Sequence, residues 1–269
     1  MPEMPEMETY RQLLTPLLVG KQVEQVIVER EKSINTDTAH FRQKVKGTRI
    51  VRIDRRAKHL IFVLDTGDVL LLHLMLGGWM FFGTDSEKSE RSAQVTLLFG
   101  EKRLFFHGLR LGYLHLYTIE EGARKLADLG PEPFDRSLSA VRFRELVTRR
   151  RGLLKPVLVD QRVIAGIGNC YSDEICFDAE IRPSRSILSL KDEEWLRLYE
   201  GMRSVLNEAV QYGGYMENPL FVGDMRTGRY NNRCKVYDCE NQPCVRCGQP
   251  IVREDFASRK SFHCAKCQK

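Results

Sequence analysis

"PCVRCGQPIVREDFASRKSFHCAKCQ", residues 243–268, carries four of the chain's eight cysteines as two C-x2-C knuckles. Cys244 and Cys247 form the first and Cys264 and Cys267 the second, with sixteen residues between them. Two such knuckles on a hairpin long enough to fold back bring four thiolates into a tetrahedron around Zn²⁺. A closed four-cysteine site leaves no open coordination position, so this single zinc is expected to be structural rather than catalytic. It stabilises a hairpin too small to build a core of its own. The start of the chain is acidic and shows no export signal, so eight cysteines argue for metal ligation or free thiols in the cytoplasm rather than for disulfides.

The hairpin is also basic, through Arg246, Arg253, Arg259, Lys260 and Lys266. Such a ribbon points to nucleic acid, with protein contact as the alternative. The whole chain carries a formal net charge of +6, a mild excess consistent with a polyanionic partner. A second basic cluster, "RFRELVTRRRGLLK", contains Arg142, Arg144, Arg149, Arg150, Arg151 and Lys155. Read alone it is the solvated face of a helix. It precedes "AGIGN", however, a glycine-rich turn opening a helix at Asn169, where backbone approaches phosphate closely and the helix N-terminus attracts it. Together they suggest a clamp on a DNA backbone.

Upstream the texture changes. "LGPEPFDRS" holds two prolines among turn residues, and 131–137 reads as a linker. Before it, "VEQVIVER", "GTRIVRID", "HLIFVLD", "DVLLLHL", "AQVTLLFG", "KRLFFHG" and "GYLHLYT" alternate with a period near two, which suggests a β-sandwich or barrel over about 21–118. Asp65, Gly67, Asp68 and Gly77 interrupt the longest apolar run, which excludes a membrane span. Residues 2–20 have the spacing of an amphipathic helix, with Pro2 suited to the first turn and Gly20 to the stop. After the linker, "SAVRFRELVTRRR" starts a helix at an N-cap Ser139, and "KDEEWLRLYEGMRSVLNEAVQYGG" closes another on two glycines. Residues 215–242 read as a long mobile loop plus a strand. A hydrophobic content of 42% and a charged content of 29% fit a globular chain with a real core.

The first residues, "MPEMPEMETY", bear on chemistry. Cleavage of Met1 behind a small residue leaves Pro2 as a secondary amine. An α-amino group with a pKa of about 8 is unprotonated to roughly a tenth to a fifth near neutral pH, and a lysine at about 10.4 to below roughly a tenth of a per cent. A secondary amine condenses with a sugar C1′ directly to an iminium, an electron sink. Glu3 and Glu6 then offer carboxyls to protonate the sugar ring oxygen and shuttle protons. The alternative is that Pro2, Glu3 and Glu6 merely suit a helix N-terminus.

"PEMPEMET" resembles the PELPEVET start of the formamidopyrimidine-DNA glycosylases, the bacterial Fpg group related to endonuclease VIII. "RRAKHLIF", "LGPEPF", "KPVLVDQRVIAGIGNCYSDEICFDAEIRPSR" and the cysteine ribbon are similar to that family as well, in its order and over essentially the whole chain. The resemblance implies an α+β multidomain protein. Residues 1–130 would form an N-terminal β-sandwich led by a catalytic helix, and 138–232 a helix–two-turn–helix DNA-binding domain with a lesion-capping loop at about 215–232. Residues 233–269 would form the zinc finger, and DNA would bind in the cleft between domains. It implies a monomeric base-excision repair enzyme acting on double-stranded DNA with damaged bases or abasic sites. Such an enzyme excises oxidised or ring-opened purines and then cleaves the strand by β,δ-elimination.

Position by position, the resemblance makes Pro2 the Schiff-base nucleophile, Glu3 the proton donor to the sugar and Glu6 a supporting acid. It assigns Lys58 to β-elimination and phosphate contact, and Arg259 to δ-elimination and a grip on the lesion phosphates. Asn169, Lys155 and the neighbouring Arg151 become DNA contacts. The departures are local. The family's HLGMSG-like loop reads "HLMLGG", which puts Leu76 at a methionine wedge. Its DPRRFG reads "HGLRLG", which puts Leu109 where an arginine pairs with the orphaned base and Leu111 at a phenylalanine wedge. Arg110 falls one place along, and Ser92 is the nearest match to an expected histidine. Three leucines are therefore expected to act as apolar wedges, with relaxed opposite-base selectivity. Oxidised pyrimidines, or damage binding with little catalysis, are the alternative readings. His73 is a phosphate contact or a core histidine, and His107 has no assigned role. Cys170, Cys176 and Trp195 read as core, and Cys234 and Cys239 as free thiols or a redox-sensitive pair.

Overall fold

Glu3 is the N-cap of the first helix, α1 (Met4–Leu18), and a capping box joins it to Glu6. That box fixes the helix start at Met4. Pro2, expected in the first turn, therefore lies before the helix, and Pro5 takes the early-turn place where a missing N–H costs little. Met7, Tyr10, Leu14 and Leu18 form its buried face.

The computed structural model describes residues 1–87, 91–256 and 258–269. These fall into two units, 1–127 with 212–229, and 128–211 with 230–269.

In the first unit, β1 (Gln25–Val28), β6 (Ala93–Phe99), β7 (Lys102–His107) and β5 (Trp79–Gly83) make one antiparallel sheet in that order. A second sheet is ordered β2 (Ile50–Arg56), β3 (His59–Leu64), β4 (Asp68–His73) and β8 (Tyr113–Thr118). Alternation sends Leu60, Phe62, Leu70, Leu72, Leu104 and Phe106 into a shared core. Phe62 of one sheet meets Phe106 of the other edge-on at 6.4 Å between ring centroids, so the expected sandwich is present. Two elements add to the seven strand stretches read from the sequence. β5 forms from "WMFFG" at a sheet edge, and α2 (Thr38–Val45) lies between β1 and β2. Asp37 caps α2 through the His40 N–H, and only Phe41 and Val45 face inward. Two apolar residues are too few to declare a helical period. α3 (Ile119–Lys125) closes the continuous part of the unit with a capping box at Thr118.

Segment 212–229, read from sequence as a mobile part of the helical domain, groups with the sandwich. Leu220 is buried in the sandwich core and its carbonyl accepts from the Phe82 N–H at 2.6 Å. Arg226 Nη2 donates to Gln12 Oε1 at 2.6 Å, and Asp224 accepts from the Leu220, Arg226 and Thr227 amides. The loop is thus anchored at both ends and braced within. The strand expected before residue 242 does not form, and a short 3₁₀ turn, Asn231–Arg233, stands there.

The second unit holds α4 (Ala140–Thr148), α5 (Leu154–Leu158), α6 (Asn169–Asp178) and α7 (Asp192–Gln211), then the hairpin β9 (Val252–Phe256) and β10 (Arg259–His263). Ser139 caps α4 as expected, accepting from the Arg142 N–H. Cys170 and Cys176 are buried core thiols, and Trp195 is buried against Phe143. Phe177 of α6 packs with Val236, Ile251 and Phe262 around the ribbon.

Candidate active site and DNA-binding elements

The N-terminus and the segment at Tyr215 meet at the Glu6 carboxylate. Glu6 Oε2 accepts from the Glu3 N–H at 2.7 Å, and Glu6 Oε1 accepts from the Tyr215 N–H at 2.8 Å. Gly213 and Gly214 have φ near +74° and +75°, and a Cβ at Gly214 would fall inside the Glu6 carboxylate. Glycine is required there both by the backbone and by the close approach. The Met1 ammonium donates to Tyr215 Oη at 3.3 Å, and that hydroxyl donates to the Met1 carbonyl at 3.1 Å. Pro2, Glu3 and Glu6 are all buried. The structure places Glu3 and Glu6 together just after Pro2 and adds Tyr215, 200 and more positions away, whose only local signal is the Gly-Gly before it.

Lys58 lies in the β2–β3 turn behind Ala57, a left-handed residue at φ 51°, and is buried. Beside it the His59 and His73 rings pack across adjacent strands at 4.3 Å, tilted by 42° to each other, and His59 Nε2 meets Tyr113 Oη at 3.2 Å. Burial pushes His59 down to about 4 and His73 to about 3, so both imidazoles are neutral near pH 7.

The three leucines do not share one fate. Leu76 and Leu111 are 65% and 63% exposed, whereas Leu109 is 0% exposed within the sandwich core. Its amide donates to Gln94 Oε1 at 3.0 Å, and its carbonyl accepts from Ser33 and Arg30. Leu109 is therefore packing and not a wedge, which corrects the expectation. Residues 108–112 lie outside the strands, between β7 and β8, and Arg110 is exposed there as Leu111 is. The two exposed leucines sit on loops in direct backbone contact, because a Cβ at Gly108 would strike the Gly77 carbonyl. His107, without a role in the sequence, is buried and stacked on Trp79 at 4.2 Å.

In the second unit Asn169 opens α6 behind the N-cap Gly168, and its Oδ1 is buried without a partner among the described residues. Arg151 and Arg259 are exposed. Lys155 is different. It is fully buried, and its ammonium donates to Asp173 Oδ2 and to the Lys260 carbonyl, both at 2.7 Å. A lysine so enclosed cannot reach a phosphate, so the expected DNA contact is corrected to an internal tie. Asp173 also accepts from Ser261 Oγ and the Phe262 N–H, and burial pushes its carboxyl up to about 7 against these contacts. Its neighbour Glu174 accepts from the amides of Lys235, Val236 and Tyr237. These two carboxylates hold the ribbon hairpin and the segment before it on α6. Two adjacent acids inside an apolar helix, "CYSDEICF", were the signal for them.

The four ribbon cysteines place their sulfurs within 4.8 Å of one another, with Cys244–Cys267 at 3.9 Å and Cys247–Cys264 at 3.5 Å. A tetrahedron with zinc–sulfur arms of about 2.3 Å has edges of about 3.8 Å, so the donor set fits zinc. Gln268 braces the site by accepting from the Cys264 N–H and donating to the Ile181 carbonyl. The metal is a structural Zn²⁺, as expected from the spacing. Cys234 and Cys239 are free thiols outside this cluster, and burial pushes Cys239 up to about 11.

A sandwich led by a capped helix, a helical unit and a four-cysteine ribbon together define a class of DNA repair enzymes. The sequence matches the formamidopyrimidine-DNA glycosylase N-terminal domain over residues 1–113, that family's H2TH domain over 129–218, and a zinc finger found in FPG and IleRS over 241–269. It is 36% identical over 276 residues to the formamidopyrimidine-DNA glycosylase of Listeria monocytogenes serotype 4b, and 35% identical over 277 residues to that of Heliobacterium modesticaldum, each covered in full together with this chain. Among solved structures, Lactococcus lactis Fpg with DNA containing an abasic site superposes with a TM-score of 0.92 at 27% identity, covering 99% of each chain. The wild-type Lactococcus lactis protein with DNA containing N7-benzyl-Fapy-dG gives 0.92 at 28% identity and full coverage of both chains. The chain belongs to the formamidopyrimidine-DNA glycosylase family.

Proposed function

We propose that this chain starts base-excision repair from the nitrogen of Pro2, as a bifunctional DNA glycosylase and AP lyase. Its substrates are oxidised and ring-opened purines, such as 8-oxoguanine and formamidopyrimidines, and abasic sites in double-stranded DNA. The observation that carries this reading is the buried arrangement at the N-terminus. Glu3 and Glu6 are fixed by the capping box within one helical turn of residue 2, and Glu6 is held again by the Tyr215 amide.

Removal of Met1 frees the Pro2 amine, which is neutral often enough near pH 7 to attack C1′. Glu3 delivers a proton to the sugar ring oxygen, and Glu6 keeps the helix start and Glu3 in register. Lys58, in the β2–β3 turn, serves the β-elimination, and the exposed Arg259 serves the phosphates flanking the lesion and the δ-elimination. Asn169 and Arg151 grip the backbone, and Leu76 and Leu111 fill the gap left by the everted base while Arg110 stands beside them. The burial of Leu109 favours a relaxed choice of opposite base, because no guanidinium stands at that position. The relatives are bacterial, and no helix among the described residues is long and apolar enough to cross a membrane. The reading places the protein in the bacterial cytoplasm as a monomer on DNA.

Borohydride trapping on duplexes with 8-oxoguanine, 5-hydroxyuracil or an abasic site tests this. Wild type should form a covalent band on the purine lesion and the abasic site. Pro2→Gly should lose it, and Glu3→Gln should lose it on the damaged base. A wild-type protein that traps on none of the three, beside a positive control that does, would remove the reading.

A further inference from the structure

The carbon bonded to the Pro2 nitrogen in this structure is the carbonyl carbon of Met1. It marks the bonding position that the sugar C1′ takes once Met1 has gone, and its oxygen marks one substituent position on that carbon, the one open to O4′ in the adduct that precedes cleavage of the C1′–O4′ bond. That oxygen accepts a hydrogen bond from Tyr215 Oη at 3.1 Å.

We infer that the Tyr215 hydroxyl is a further catalytic group, donating a hydrogen bond to the deoxyribose ring oxygen while the Pro2 nitrogen bonds to C1′. The inference rests on Pro2 as the nucleophile and deepens that reading. The phenol does not depend on Met1 for its place. Its own amide is bonded to Glu6 at 2.8 Å, and Gly214 before it lies against the Glu6 carboxylate. Gly213 is fixed in turn by the Gly228 N–H, which donates to its carbonyl at 3.1 Å. Loss of Met1 removes both of the hydroxyl's contacts to that residue and leaves it facing the new bond.

In the first step the Pro2 lone pair forms the N–C1′ bond as the C1′–base bond breaks with its electron pair, and the base takes up the proton that the amine loses. On an abasic site water leaves instead. In the second step the nitrogen lone pair forms C1′=N as the C1′–O4′ bond breaks. O4′ keeps that pair and takes the Glu3 carboxyl proton, which leaves a carboxylate beside the iminium. Tyr215 keeps its own proton throughout and stabilises the charge growing on O4′.

The test is single-turnover borohydride trapping with full-length wild type, Tyr215→Phe and Pro2→Gly, each checked by intact mass for loss of Met1. Tyr215→Phe should trap about a hundred- to a thousandfold more slowly on abasic and 8-oxoguanine duplexes. Its affinity for a duplex with an uncleavable tetrahydrofuran site should match wild type. Trapping by Tyr215→Phe at the wild-type rate, with Pro2→Gly inactive, would overturn the role of Tyr215 and leave Pro2 standing. Trapping by Pro2→Gly at the wild-type rate would instead overturn the nucleophile, and Tyr215 with it. Slow trapping that tracks retained Met1 would also overturn it, as a processing defect. Should Tyr215→Phe fold poorly, 3,5-difluorotyrosine at 215 keeps the hydroxyl and makes it more acidic. The alkaline limb of the trapping rate should then move to lower pH, and an unmoved limb would overturn the role.

Discussion

Glu174→Ala should unfasten the ribbon side of the helical unit. The carboxylate is fully buried on α6 and takes the Val236 and Tyr237 amides at 2.9 Å and the Lys235 amide at 3.0 Å. Burial raises its carboxyl and these amides oppose the rise. Truncation orphans three N–H groups at once. Val236 is wholly inaccessible, so its amide bears the full desolvation cost of about 1–3 kcal/mol, while the two half-buried neighbours recover part of theirs from water. With the void left by the side chain, the loss comes to about 3–5 kcal/mol, the range for removing one partner of a buried charged contact. For a unit of this size that lowers the melting temperature by about 12–19 °C, read by calorimetry with zinc saturating. Glu174→Gln should recover less than half of the loss, because it offers one acceptor oxygen and turns an NH₂ toward three donors. An alanine variant melting within about 3 °C of wild type would refute the reasoning. It would mean that Val236 packing and the Arg233–Glu208 ion pair hold the segment unaided.

Leu109→Ala should cost about 2–5 kcal/mol in urea unfolding, while Leu76→Ala and Leu111→Ala stay within about 0.5 kcal/mol of wild type. The latter two should slow excision from duplex DNA more than from a single-stranded lesion, and equal losses on both substrates would sink the wedge assignment. Burial alone would raise the Glu8 carboxyl, but hydrogen bonds from Arg11, Gln12 and Arg55 outweigh it and hold it at about 2. Its folded value is below the usual one of 4.5, so its contribution is complete above about pH 4.5 and is lost as pH falls toward 2. After solvent screening that contribution is about 1–2 kcal/mol. Glu8→Gln should flatten the acid limb of a stability–pH curve over that window, and an unchanged limb would count against it.

The parts readable from sequence are those fixed by neighbours along the chain. The ribbon follows from cysteine spacing, α4 from Ser139, and the sandwich strands from alternation. What escaped depends on partners far away in sequence. Pro2 and Pro5 look interchangeable until the Glu3–Glu6 box sets the helix start. Leu109 reads like Leu76 and Leu111, and only the turn that points it at the core separates them. Lys155 belongs to a basic run, yet Asp173, eighteen residues on, draws it inside. A charge run records composition and not direction, and direction is what makes a residue a contact or a tie.

The backbone contact between Gly77 and Gly108 has a consequence for how the protein changes over evolutionary time. Two loops from different strand pairs meet without a side chain between them, so neither can lengthen or shorten alone, and Gly108 cannot gain a Cβ while Gly77 keeps its place. The residues at their tips, Leu76 and Leu111, are by contrast exposed and carry no packing constraint from the fold. Exchanges that keep apolar bulk there should accumulate readily, while insertions in either loop should appear only when the other loop changes with it. The tool can be re-tipped often, but its handle is shared.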